Sequence, residues 1–468
     1  MCGVFCIASK SPISNNLLNK ANSISGFLKH RGPDGDGIWC DKNAGVVLGH
    51  TRLSVLDLTD SAKQPMLRCG ITLSYNGEIY NYKEIRSKLE LRGYIFTSTG
   101  DTEVVLYAWK EWGYSSFDMF DGMFSIIIFD GDTITCATDR FGEKTLYYKI
   151  ENNQIYISSE LSSLVNVLNL TPKNNQRLDT LFMLNGYIPS PETYYKGTYR
   201  MGPAEVINIK KSTIISRKTY WKLPELDSGR LSIPKLSTKD VSLLRRALIE
   251  SIESRLHSDA PMCLFLSAGI DSSLIASILK LELNYDIDCI TAFFGTDRAF
   301  NESSQAADVA SYLKLNHQCV NINVSSHSDI SNKIIKHYGQ PFDTVTTFAM
   351  SDMTRAVKGK YKVGLTGFGG DEVFFGYGKH AYVYKYRMLM NSPNVVRSAI
   401  GNIVNLVSFN KNTGINSWIK NLINVKDNER YLAMKLYPAI NTLRELPHYN
   451  EAVNSQYNDI NNIVEYTY

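Results

Sequence analysis

Over the first two hundred residues, apolar side chains come in short runs broken by glycine: GVFCIAS, AGVVLGHTRLSVLD, GITLSYNGEIYN, MFSIIIFD, TITCATD, TLYYKI and QIYISSE. Runs of this length, rich in β-branched and aromatic residues, predict strands. Between them, NYKEIRSKLELRG and DTEVVLYAWKEWG space their apolar residues as an amphipathic helix does. Many strands with few helices imply stacked sheets covered by helices.

The rhythm changes around PELDSGRLSIPKLSTKD, a stretch rich in Pro, Ser and charge with little to bury, which reads as a linker. Beyond it strand and helix alternate: APMCLFLS then SSLIASILKLEL, DCITAFFG then SSQAADVASYLKL, HQCVNIN then SDISNKIIKHY, and YKVGLTG. Such alternation predicts a parallel sheet with crossover helices. The expected organisation is a domain over residues 2–203, a linker over 204–240 and a second domain over 241–468. The Asn-rich end, NEAVNSQYNDINNIVEYTY, is expected to be loosely ordered.

Composition narrows the class. A chain of 468 residues exceeds one ordinary core, and 44% apolar with 21% charged residues are globular values. A net charge of +4 without a long Lys/Arg block gives no nucleic-acid footprint; Arg245-Arg246 is only a pair on a predicted helix. FSIIIFD and MCLFLSAGID are far too short to span a membrane, and the N-terminus does not resemble a signal peptide. Eight cysteines without a CxxC pair fit reduced thiols in the cytoplasm better than a disulfide framework or zinc site.

The second residue is a cysteine. Removal of Met1 would give Cys2 both a thiol and a free α-amine, whose ordinary pKa lies nearer neutrality than a lysine's. The amine can then serve as base for its own thiol, without a histidine. Attack on a carboxamide forms an oxyanion, and YNGEIYN offers the Asn76 amide and the Gly77 N–H as donors. Arg52 can pair with a substrate carboxylate, and Glu78 and Asp101 with an ammonium. Each also has an ordinary structural reading: Arg52 as a strand-edge ion pair, Asn76-Gly77 as a hairpin turn, Asp101 as a helix N-cap. Their co-occurrence favours the site.

MCGVFCIAS, HRGPDGDG, HTRLSVLD, YNGEIYN, STGDTEVVL and DRFGEKTLYY occur in the order seen in class II glutamine amidotransferase domains. More narrowly, they resemble the asparagine synthetase family. The resemblance implies an N-terminal nucleophile sandwich, two stacked antiparallel sheets between helices, with Cys2 as the nucleophile that hydrolyses glutamine. It makes Asn76 and Gly77 the oxyanion hole and places Arg52, Asn76, Glu78 and Asp101 on the glutamine. His30, Arg31 and Asp34 of HRGPD would be architectural, and Cys6 an ordinary buried thiol.

In the second half LFLSAGIDSSLIAS follows a predicted strand and opens a helix. Small residues let the amides of Ser267–Ser272 wrap an anion, with hydroxyls from Ser267, Ser272 and Ser273 and the helix dipole behind them. Asp271 makes sense beside phosphate if Mg2+ lies between. The loop differs from GxxxxGK[ST] and resembles the SGGxDS motif of ATP pyrophosphatases, in an α/β adenine-nucleotide-binding domain. By that resemblance Leu266, Ser267, Gly269, Asp271, Ser272, Phe294, Thr366 and Gly367 would hold ATP. Asp271 and Asp371, the latter from TGFGGDEVFFGY with Glu372 beside it, would hold Mg2+.

The family resemblance implies an enzyme that makes asparagine from aspartate, glutamine and ATP, releasing AMP and pyrophosphate; the oligomeric state stays open, with a homodimer among the options. Ammonia would cross an internal path, because in water at neutral pH it is mostly protonated and no longer nucleophilic. Three positions depart from the pattern: Ala268 replaces a glycine, and Phe368 and Gln340 stand where acidic residues are usual. The family's later lysine segment and ExRxPFLD-type motif are not found before Tyr468, and Lys426 and Arg430 read as surface residues. The synthetase domain is therefore expected to be shortened. Two other outcomes stay open: an amide synthetase acting on a sugar acid, peptide or secondary-metabolite carboxylate, and a glutaminase-like protein whose second half only binds nucleotide.

Overall fold

The computed structural model describes residues 1–224, 236–295, 301–322, 327–342 and 345–377, with Ser392, Pro393, Val395, Val396 and Ala399. Over the N-terminal half the short apolar runs become two antiparallel six-stranded sheets. Their strands, in chain order, are β1 (Gly3–Ser9), β2 (Gly35–Asp41), β3 (Val46–Arg52), β4 (Met66–Arg68), β5 (Ile71–Ile79) and β6 (Gly122–Phe129). They continue with β7 (Ile134–Thr138), β8 (Tyr147–Glu151), β9 (Gln154–Ser158), β10 (Thr198–Arg200), β11 (Glu205–Lys210) and β12 (Thr213–Thr219). One sheet has the order β10-β8-β9-β1-β3-β2 and the other β12-β11-β7-β6-β5-β4.

Alternation along each strand explains the layering, because successive side chains face opposite sides. Val4, Cys6 and Ala8 of β1 meet Leu48, Ile127, Phe129 and Cys136 between the sheets. Phe5 and Ile7 face the other way, onto Ala21, Ile24 and Leu28 of α1 (Asn15–Leu28). Beyond the second sheet, Leu73 and Tyr75 pack on Ile85 of α2 (Tyr82–Glu90) and Val104 of α3 (Asp101–Trp112). This is the expected sandwich, two sheets between helices.

Residues 205–219 were expected in the linker, but they form β11 and β12 and complete the second sheet. The reason is packing: Val206, Ile207 and Ile209 are buried, so EVINIK behaves as a core strand.

The second half gives a four-stranded parallel sheet of β13 (Met262–Phe265), β14 (Asp288–Phe293), β15 (His317–Asn321) and β16 (Val363–Leu365), in the order β15-β14-β13-β16. The other helices are α4 (Ser115–Met119), α5 (Leu161–Val167), α6 (Gln176–Asn185), α7 (Thr238–Ser254), α8 (Ile270–Ser277), α9 (Ser303–Tyr312), α10 (His327–Tyr338), α11 (Val345–Val357) and α12 (Gly370–Phe374). From β13 the chain steps outward to β14 and β15, then returns to the other side of β13 as β16. The carboxyl ends of β13 and β16 therefore flank the topological switch point, where ligands of open α/β sheets bind.

Two compact units are distinguished. One comprises the described residues of 1–173, 190–222 and 232–366 and holds all three sheets; the other comprises those of 174–189, 223–231 and 367–468, with α6 and α12. The core sheets of both expected domains thus share one unit. Among the described residues, no helix is long and apolar enough to cross a membrane.

Candidate active site

Cys2 precedes β1, and its Sγ accepts from Leu53 N at 3.3 Å and lies 3.6 Å from Leu53 O. Arg31 Nε donates to Cys2 O at 2.8 Å. Burial raises the thiol above its ordinary pKa, with the Leu53 contact opposing, so the sulfur needs a base to become a nucleophile. The neighbouring terminal amine is held at about 6, chiefly by burial, with Arg31 and Lys144 reinforcing and the Cys2 thiolate opposing.

Cys2, Arg52, Gly77, Glu78 and Asp101 line a single pocket, together with Leu53, Val55 and Leu56 of the loop after β3. Asn76 and Gly77 lie within β5, paired with Ser125 and Phe124 of β6, and do not form a hairpin turn. The Asn76 Nδ2 is buried with no acceptor among the described residues; Gly77 lines the pocket, whereas Asn76 does not. Gly77 was expected to let substrate approach. The structure adds a stronger demand: a Cβ there would overlap the Met123 carbonyl oxygen and stand 2.8 Å from Phe124 Cα.

Asp101 is the first residue of α3 rather than its N-cap, which is Gly100. Its carboxylate accepts from Tyr75 OH at 2.6 Å and Ile79 N at 3.0 Å. Burial nevertheless raises Asp101 to about 6, against those hydrogen bonds. Glu78 is pushed well above the carboxylate range by burial and by Asp101 beside it. Two buried carboxylates facing one pocket favour a cation there. Arg52 lines the pocket too, with two of its donors on the loop carbonyls of Thr59, at 2.8 Å, and Asp57.

The HRGPD residues hold this architecture. Arg31 bridges Cys2 O and Glu160, the latter at 2.8 Å; His30 Nε2 also meets Glu160, at 3.0 Å, and His337 Nε2 lies 3.8 Å from the same oxygen. The His30–Glu160–His337 trio has the spacing of metal ligands. Because the Arg31 guanidinium already shares that oxygen, the cluster is better described as an ion-pair network. Asp34 accepts from Ser54 N at 2.8 Å and from Lys362 Nζ at 2.6 Å. Cys6 is fully buried, and all eight cysteines are free thiols.

Sequence reasoning passed over Gln64 and Tyr75, which line this pocket, and Lys144 and Asp57, which act on it from outside its lining. Gln64 Oε1 accepts from Tyr75 N at 2.7 Å, Tyr75 orients Asp101, and Lys144 acts on both Glu78 and the terminal amine. Asp57 organises the loop: its carboxylate accepts from Thr59 N at 3.0 Å, Ser61 Oγ at 3.1 Å and Thr99 N at 2.7 Å. Tyr75, Asp57 and Lys144 stand in the motifs YNGEIYN, HTRLSVLD and DRFGEKTLYY, whereas Gln64 lies outside them.

The second constellation sits at the switch point. Leu266, Phe294 and Thr366 directly follow β13, β14 and β16. Ser267 and Ser272 hydroxyls meet at 2.9 Å, and Ser267 N donates to Ser272 Oγ at 3.0 Å. Ala268 N donates to Glu302 at 3.3 Å and Gly269 N to Ser267 Oγ at 3.2 Å. The expected wrap of amides over Ser267–Ser272 is therefore corrected. Its first three are engaged within the protein, while the first-turn N–H groups of Ile270, Asp271 and Ser272 lack an intrahelical acceptor. Asp271 stands in that first turn, beside the loop of the Ser267 and Ser272 hydroxyls. Gly367, Phe368, Asp371 and Glu372 belong to the other unit, with both acids in the first turn of α12. Lys426 and Arg430 lie outside the described residues.

Comparison with known proteins finds a family for each half of the chain. A glutamine amidotransferase domain matches residues 1–221, and asparagine synthase matches residues 243–467. A Methanocaldococcus jannaschii protein, provisionally named asparagine synthetase [glutamine-hydrolyzing] 2, is 31% identical over 85% of this chain and 79% of its own length. Asparagine synthetase [glutamine-hydrolyzing] 1 of Bacillus subtilis is 30% identical over 81% of the chain, which spans only 59% of that relative. Amidase chry2 of Gibberella zeae is 27% identical over 81% of the chain and 59% of its own length.

Proposed function

The chain belongs to the glutamine-hydrolysing asparagine synthetase family, and on that premise we propose that Cys2 frees ammonia from glutamine to amidate an ATP-activated carboxylate. The observation that carries the first half is the pocket in which Cys2 faces the Glu78–Asp101 carboxylate pair. Glutamine enters with its α-ammonium on those carboxylates and its α-carboxylate on Arg52. Once Met1 is removed, Cys2 carries a free α-amine, whose ordinary pKa lies nearer neutrality than a lysine's, and that amine accepts the thiol proton.

The thiolate attacks the side-chain amide carbon, and the oxyanion takes hydrogen bonds from Asn76 Nδ2 and the Gly77 N–H. The amine returns its proton to the departing nitrogen, giving ammonia and a thioester that water hydrolyses to glutamate. In the second half a carboxylate oxygen attacks the α-phosphorus of ATP, and pyrophosphate leaves. Ser267, Ser272 and the first turn of α8 would hold the phosphates. Mg2+ held at Asp271 would neutralise charge on the departing pyrophosphate. Ammonia then displaces AMP from the activated acid. Aspartate is the acceptor we propose first. Phe368, exposed where an acid is usual in the family, favours a second reading in which another carboxylate is amidated.

Cys2→Ala tests the division of labour. Glutamine-dependent AMP formation should fall to background while ammonia-dependent AMP formation persists within about twofold. Loss of both, or of neither, would refute the scheme. Pyrophosphate release across a panel of carboxylic acids separates aspartate from other acceptors.

A further inference from the structure

The loop after β3 has an anchor outside the amidotransferase sandwich. Its Val55 and Leu56 line the Cys2 pocket. Asp259, just before β13 of the parallel sheet, donates its backbone N–H to Val55 O at 2.9 Å. The same residue's Oδ2 accepts from Asp57 N at 2.8 Å. One aspartate therefore straddles Leu56 with a donor and an acceptor, closing a clasp on three consecutive loop residues.

Neighbouring contacts make the clasp more than an incidental pair. Lys362, just before β16, donates to Asp34, which holds Ser54 N, and its Nζ lies 3.4 Å from Ser54 O. Lys362 N also donates to Pro261 O at 3.0 Å, tying the two anchor segments together. On its opposite side the loop touches the nucleophile, through Leu53 N on Cys2 Sγ. Asp57 itself sits at a φ of 48°, a left-handed conformation that a non-glycine residue holds only when its surroundings fix it. The Asp57 carboxylate is committed to Thr59, Ser61 and Thr99, so its backbone N–H depends on Asp259.

We propose that Asp259 is a positioning residue for glutamine: from the synthetase sheet it fixes the loop that forms one wall of the Cys2 pocket. The inference rests on the glutaminase reading above and adds a residue to it that touches neither substrate nor nucleophile. Asn at position 259 keeps an acceptor for Asp57 N, whereas Ala does not.

In the full-length protein, Asp259→Ala should raise KM for glutamine about tenfold, the worth of one hydrogen bond to a charged group, with kcat within twofold. Asp259→Asn should restore KM to within about threefold of the parent. Unchanged KM in Asp259→Ala, or equal impairment in the Asn variant, would overturn the proposal. Amide hydrogen exchange across residues 53–59 tests the clasp without turnover, so failure of the glutaminase reading is seen separately. Exchange should quicken about tenfold in Asp259→Ala and not in Asp259→Asn; equal protection in all three proteins overturns the clasp. If Asp259→Ala does not fold, Asp259→Ser, whose hydroxyl stops short of Asp57 N, gives the same readouts.

Discussion

At the scale of single residues, the pocket sets two acids against each other. Burial raises Asp101 to about 6 and Glu78 well above the carboxylate range, so neither is securely charged in the empty site. A substrate ammonium between them pulls both toward the ionised form. As pH falls through about 6, Asp101 takes up a proton in the free enzyme and its attraction for the ammonium is lost. KM for glutamine should therefore climb about tenfold from pH 7.5 to pH 5, as initial rates will show. Asp101→Asn should have a high KM with a much flatter pH profile. A parent KM constant over that range would remove the carboxylates from substrate binding. Asp101 was legible in the sequence because STGDTE stands among companion motifs. Tyr75 opens YNGEIYN, but its role was not legible, nor was that of Gln64, because both act only through the fold, Tyr75 OH donating to Asp101 and Gln64 accepting from Tyr75 N.

At the scale of elements, β5 shows how packing decides between two local outcomes. Asn-Gly is a strong turn signal, yet the chain runs straight through it, in register with β6 from Thr72↔Phe129 to Ile79↔Gly122. Eight consecutive pairings and the burial of Leu73, Tyr75 and Ile79 outweigh a turn preference worth far less. Gly77 then serves closeness, since the Met123 carbonyl leaves no room for a Cβ. Gly77→Ala should lower stability by about 1–3 kcal/mol, the usual cost of overpacking, because backbone rather than a flexible side chain must yield. Denaturant unfolding measures this; a loss under 0.5 kcal/mol, on the order of an ordinary surface substitution, would show that β5 and β6 part easily. The same logic explains β11 and β12. Their short apolar alternation lies close to a Pro- and Ser-rich stretch, and only the vacant edge of β7 reveals them as strands.

At the scale of the molecule, periodicity announced both architectures: sheets stacked under helices, then strand–helix alternation. How the halves meet was not legible, since it depends on pairs such as Tyr195 OH on Gly339 O at 2.7 Å, whose partners are distant in sequence. Glu160 is the most charged of these meeting points, with Arg31 and His30 on the sandwich side and His337 of α10 approaching. Its carboxylate is held at about 2, by His30 and Arg31 against the cost of burial. A carboxylate whose folded pKa is depressed adds stability above its unfolded value, about 4.3, and loses it as pH falls toward 2. His30, raised by Glu160, works the other way: its share is complete below about 6.5 and fades as pH rises through its folded value. Glu160→Gln should therefore cost on the order of 2 kcal/mol at pH 6, after allowance for the half-exposed His30. The gap in melting temperature between parent and variant should close as pH drops from 4.5 to 2. A gap that stays constant over that range would mean that Glu160 serves through shape, and the halves would be joined by packing rather than by charge.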